Sequence, residues 1–277
     1  MKKVLLFGAA ISATVIFNSC NKDQVKICPD YNAGGEASAD QNGAVIEGKY
    51  IVVFNENIDL NLRLNASVSY SERTAVMRSF CEDFLSEKNI TPAISYTYGK
   101  VIHGFAASLT IENVKSLASD SRIAYIEQDK LVVLGGKPGG GTPPPPAQET
   151  PWGITRVGSA DGTGKTAWII DTGIDFTHPD LNVDAARSKT FITTGPDSKN
   201  AKDGNGHGSH VAGTIAAINN SIGVVGVAFN ATVVAVKVLN SQGSGSNSGV
   251  IAGVDYVGAT AVAGDVANMS LGGGVST

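Results

Sequence analysis

The block LGGKPGGGTPPPPAQETPWG, from Leu134 to Gly153, constrains the fold of this chain more than any other feature. Proline fixes φ and has no N–H to donate, and a run of glycines loses more entropy on ordering than any other sequence, so neither a strand nor a helix continues through it. It predicts a linker over 135–150 with a folded unit on each side. The 277 residues are 42% hydrophobic and 17% charged, which excludes a disordered or fibrous chain and supplies more than one core. A formal net charge of -4, spread without long like-charge runs, offers no basic stripe for a nucleic acid and leaves proteins, peptides or small molecules as partners.

The chain opens MKKVLLFGAAISATVIFNSC, two lysines and an apolar run from Val4 to Phe17 followed by small or polar residues up to Cys20. That order predicts a secretory signal peptide over 1–19. The run is shorter than the ~20 residues a membrane-spanning helix needs, and no other segment reaches that length, so no integral membrane domain is expected. Cys20, directly after Ser19, resembles the processing site of bacterial lipoproteins and is the candidate lipidation residue; the alternative is an ordinary signal peptide cut nearby. Both predict export, to the outer membrane or cell surface if lipidated and into the medium otherwise, with a lipid anchor as the one contact with membrane. The three cysteines, Cys20, Cys28 and Cys81, form neither a disulfide framework nor a CxxC metal pair. Residues 20–46 are rich in Gly, Ala, Ser and Asp and predict a flexible tether.

Residues 47–134 alternate between strand and helix patterns: KYIVVF, then an amphipathic helix over Ser71 to Lys88, GFAASLT, a helix over Ile111 to Ala118, and IAYIEQD. This is the order of a small split βαβ, ferredoxin-like α+β domain. In 151–277, KTAWIID, TVVAVKV and VANMSL read as strands separated by the helices HVAGTIAAIN and GVIAGVDYVGATAV, which predicts an α/β domain with a parallel sheet and ligands at the carboxyl ends of its strands. Asp171 and Ser270 both fall at such ends.

Asp171 opens DTGIDFTHPDL, and a strand-end Asp by itself more often caps a turn. His207 stands between Gly206 and Gly208 in DGNGHGSHVAGTIA, 36 positions after Asp171 and just before a helix. Flanking glycines let a substrate backbone approach the ring, and a helix N-terminus disfavours the imidazolium, keeping the ring a base. Together these segments resemble the Asp and His motifs of subtilases, with the proteinase K branch most similar. Ser209 departs from the usual Thr but keeps the hydroxyl. The resemblance extends to VLNSQGSGSNSGVIAGVDYV and ANMSLGGG, which in this family flank an extended substrate and pair with it as added strands. By position it implies Gly243, Ser244 and Gly245 as one wall and Ser270, Leu271 and Gly272 as the other, although glycine and serine there also suit plain loops. Residues 47–134 resemble the family's inhibitory propeptide, an intramolecular inhibitor whose tail stays in the cleft, and TPWGITRVG the start of the mature enzyme.

The resemblance implies a serine endopeptidase acting on proteins or peptides, in which His207 takes a proton from a serine and Asp171 fixes the imidazole tautomer. No GTSMA-like segment and no later oxyanion Asn appear, so the chain is expected to be the front of a longer precursor, inactive alone, with an unpaired edge at its third core strand. The rival expectation is an inert exported lipoprotein that acts as a binding or protease-inhibitory module. No cofactor is required. GTGKT lacks the first glycine of a phosphate loop and precedes its strand, His207 and His210 lack a third zinc ligand, and DGNG at Asp203 lacks the alternating carboxylates of a calcium loop. Family members often bind calcium, but no ligand can be named here. His210 is expected to face the first turn of its helix and His178 to lie in a loop.

Overall fold

The computed structural model describes residues 41–56, 58, 68–135 and 147–272. The expected signal peptide, Cys20, most of the expected 20–46 tether and most of the expected 135–150 linker lie outside the described residues.

The first unit comprises β1 (Val45–Phe54), α1 (Tyr70–Ser86), β2 (Ile94–Gly99), β3 (His103–Ser108), α2 (Ile111–Ala118) and β4 (Ile123–Val133). Its strands lie in the order β4-β1-β3-β2, all antiparallel neighbours. The sequence reading has no counterpart for β2, whose ISYTYG mixes polar and aromatic residues. Both helices start on reciprocal caps: Ser69 with Glu72 for α1, Thr110 with Asn113 for α2. The unbroken apolar run of β1 has a direct cause, since both faces of the strand are covered. Tyr50, Val52 and Phe54 pack with Met77, Phe84 and Leu117 under the two helices, whereas Ile51 and Val53 face the second unit.

The second unit follows with α3 (Trp152–Val157), β5 (Ala160–Asp161), β6 (Thr166–Asp171), β7 (Asn182–Val183), β8 (Lys189–Thr190), α4 (His207–Ala216), β9 (Ala228–Phe229), β10 (Thr232–Lys237), β11 (Ser244–Ser246), α5 (Asn247–Thr260) and β12 (Val266–Asn268). The parallel sheet has the order β12-β6-β10-β7, with β8 also on β10. Alternation along its buried strands divides the core. Ala167, Ile169, Val233 and Ala235 meet Ala212 and Ala216 of α4, while Trp168, Ile170, Val234 and Val236 meet Ala252 and Val257 of α5. The two helices therefore cover opposite faces of the sheet.

Helix α5 is shared. Its other side receives Ile51, Val53, Tyr98 and Val132, so one apolar cluster runs from the first unit through α5 into the parallel sheet. Polar groups lock the same contact. Asp129 accepts the N–H of Ser248 at 3.0 Å and its hydroxyl at 2.5 Å, capping the α5 N-terminus from outside. Near the other end Asp255 accepts the N–H groups of Gly99, Lys100 and Val101. No helix among the described residues is long and apolar enough to cross a membrane.

Candidate active site

Asp171 ends β6 fully buried, and His207 begins α4 on the far side of the loop that follows. His207 Nδ1 lies 2.8 Å from Asp171 Oδ1 and 3.0 Å from Oδ2. A carboxylate only accepts, so Nδ1 carries the proton and Nε2 is left as the basic nitrogen. Burial pushes the Asp171 carboxyl up, and the His207 ring together with the Thr172 N–H, 2.7 Å from Oδ1, opposes that shift.

The two segments are fastened to each other at several points. Thr172 Oγ1 accepts from the Gly208 N–H at 2.9 Å and donates to Asp203 Oδ1 at 2.9 Å. Asp203 also accepts the N–H groups of Asn205, Gly206 and Ser209 and the Ser209 hydroxyl, so its carboxylate caps α4 and is spent on the protein itself. The Ser209 hydroxyl in turn accepts the Asp175 N–H at 2.9 Å, so a hydroxyl is required there and serine supplies it. Gly208 permits the close approach, because a Cβ at this position would lie 2.1 Å from the Gly173 carbonyl oxygen. Lys237, fully buried at the end of β10, donates to the Thr172 carbonyl at 2.5 Å and pairs with Asp197 at 3.1 Å, which pins the residue next to Asp171. His210 is exposed on α4, and His178 is an exposed loop residue. Among the described residues no group of three or more His, Cys, Asp or Glu side chains could hold a metal.

Next to His207 lies a cleft of about 510 Å³. Its floor includes Val133, Leu134 and Gly135, and its far side Met269 to Gly272. The end of β4 enters it as a strand antiparallel to β11, pairing Leu131 with Ser246, Val132 with Gly245 and Val133 with Ser244, and the Leu134 N–H donates to the Gly243 carbonyl at 2.9 Å. Gly245 is set so close to the core that a Cβ would meet the Val238 carbonyl oxygen at 2.3 Å, and the buried Ser244 hydroxyl has no hydrogen-bond partner among the described residues. Ser270, Leu271 and Gly272 lie across the cleft but form no ladder with β4; Gly272 is tied to it through Asn42, whose Nδ2 donates to the Gly272 carbonyl at 2.9 Å. The segment with Gly243–Gly245 thus meets the tail directly, and the one with Ser270–Gly272 through a side chain.

Fold and site together define a parallel α/β domain with a carboxylate-buttressed histidine, covered by a smaller domain whose last strand runs along one side of the cleft. Residues 162–277 match the subtilase family, and residues 49–134 match peptidase inhibitor I9. The alkaline protease of Alkalihalobacillus alcalophilus is 38% identical over 234 residues, 81% of this chain and 53% of that protein. Alkaline serine exoprotease A of Vibrio alginolyticus is 42% identical over 189 residues, 63% of this chain and 33% of its own length. Subtilisin E of Bacillus subtilis is 34% identical over 276 residues, 97% of this chain and 59% of the relative. The chain thus spans from a third to about three-fifths of the curated relatives it matches.

Proposed function

We propose that the protein is a serine endopeptidase acting on proteins and peptides, made as a precursor whose first unit inhibits it, and that these residues carry its base, His207, and the carboxylate that orients it, Asp171. The observation that carries this reading is the Nδ1 contact to a fully buried carboxylate at 2.8 Å, on a histidine that lines the cleft beside the end of β4. The reading requires a serine nucleophile in addition to these two residues. In that arrangement His207 Nε2 accepts the serine proton as the oxygen attacks the peptide carbonyl, and Asp171 stabilises the imidazolium so formed. The leaving amine then takes that proton, and water repeats the cycle on the acyl-enzyme.

The tail enters as a substrate would, by adding a strand to β11. Its residues Val133, Leu134 and Gly135 line the cleft together with His207, and we propose that the cut in maturation falls beside Gly135. Mass spectrometry of the fragments released by the natural full-length precursor tests this. The expected N-terminal fragment ends within one residue of Gly135. A cut confined to the far side of the proline block, with Leu134 to Thr150 still attached to the released unit, would overturn the assignment of the tail.

Export follows from the N-terminal sequence, with Cys20 as the lipidated residue and the outer membrane or cell surface as the location. Cys20→Ala is expected to move the protein from the membrane fraction to the soluble one; unchanged fractionation would remove the anchor.

A further inference from the structure

We infer that the inhibitory unit begins ahead of the segment matched to the inhibitor family, and that Asn42 is the residue by which it grips the second wall of the cleft. Alternate residues of an extended strand present their backbone groups to opposite edges. On one edge of the tail, Val132 and Leu134 face β11. The other edge is taken by the chain just before β1: Gly43 donates to the Leu131 carbonyl and the Leu131 N–H to the Ala44 carbonyl, both at 2.8 Å. A bulge makes this approach, since the β1 register shifts between Val45 and Tyr50 and Gly48 lies at φ 67°, which re-aims the strand along Lys130 to Val133.

At Val133 the backbone of this segment has turned away, with the Ala44 N–H bonded to the Gln41 carbonyl at 2.9 Å. The Asn42 side chain takes its place. Its Oδ1 accepts the Val133 N–H at 3.0 Å and its Nδ2 donates to the Gly272 carbonyl at 2.9 Å. Only a side-chain amide presents an acceptor and a donor together in this way. An aspartate keeps the first bond and sets a carboxylate against the Gly272 carbonyl, and an alanine loses both.

This rests on the inhibitor reading above, and the experiment separates the two. Amide hydrogen exchange on the 277-residue chain reads the clamp without any activity, and the lag before peptide hydrolysis appears in the natural full-length precursor reads its consequence. Asn42→Ala is expected to speed exchange at Val133 by about tenfold, the change expected when one partly buried hydrogen bond is removed, with Val52 in the core unchanged. It is expected to shorten the lag by a similar factor. Asn42→Asp is expected to leave Val133 protected yet shorten the lag as much. Wild-type exchange at Val133 in Asn42→Ala would overturn the clamp, as would a wild-type lag in both variants. A wild-type precursor with no lag, but with Val133 exchange still dependent on Asn42, would instead remove the inhibitory role and leave the bridge.

Discussion

Replacing Asp255 by Asn puts a number on the grip between the two units. Asp255 sits in α5 with none of its surface exposed, and its carboxylate accepts the N–H of Gly99 at 3.1 Å on Oδ2 and those of Lys100 and Val101, each at 2.7 Å, on Oδ1. An amide with its oxygen at the Oδ1 position keeps two of these bonds and sets its NH₂ group against the Gly99 N–H. The variant loses one charge-assisted bond, about 1.5–3 kcal/mol, and leaves a buried donor unpaired at a cost of about 1–3 kcal/mol. A neutral amide, however, is easier to bury than a carboxylate, and burial already pushes the Asp255 carboxyl up against the pull of all three N–H groups. The balance is a loss of about 2 kcal/mol, or roughly 30-fold in docking, and about 4 kcal/mol for Asp255→Ala, which unpairs all three. Hydrogen exchange of the 277-residue chain measures it. Gly99 to Val101 should exchange roughly 30 times faster in Asp255→Asn while the amides of β6 keep their protection. Unchanged exchange at those three residues in both variants would show that the cost of burying the charge cancels its bonds and that apolar packing alone holds the units together.

Gly208→Ala is expected to push α4 away from the Gly173 carbonyl, which its Cβ would meet at 2.1 Å, and so stretch the Asp171–His207 contact. The kcat/KM of the full-length enzyme should fall by about 10²-fold, the size of effect that a shift of about 1 Å produces; Gly213→Ala, whose Cβ meets nothing within 4 Å, should match the wild type. A second expectation concerns pH. Hydrogen bonds from Arg122, with Lys88 adding a 2.7 Å ion pair, hold Asp120 well below the usual carboxylate range. Its stabilising effect is full above the ordinary Asp value near 3.9 and is lost as pH falls toward the lowered value. Thermal melting of the first unit should therefore drop more steeply with acid below about pH 4 in the wild type than in Asp120→Asn, and parallel slopes would contradict this.

The sequence was readable where one local signal fixes one element. The two apolar strands of the parallel sheet, the helix opening at His207 and the strand-end Asp171 each follow from punctuation or periodicity within a few residues. What escaped depends on partners far along the chain. Strand β2 is half polar because Thr97 bonds the Thr74 carbonyl and Tyr98 the Ser248 carbonyl, partners that periodicity does not show. Lys237 looks like the solvated end of a strand but is buried on Thr172 and Asp197. Asp255 is the one charged residue of its helix, a signal in the sequence that something opposite had to satisfy it. Asn42 lies in a stretch whose composition reads as tether, and a single side chain there leaves no pattern.

Hydrolysis of a denatured protein substrate by the natural full-length protein and its His207→Ala variant tests the central claim most directly. The wild type should cleave the substrate and the variant should retain no more than about 10⁻⁴ of its kcat, with Asp171→Asn lowered by about 10⁴-fold, the loss seen when a triad aspartate becomes an amide. Cleavage by His207→Ala at the wild-type rate would show that the histidine held by Asp171 is not the base.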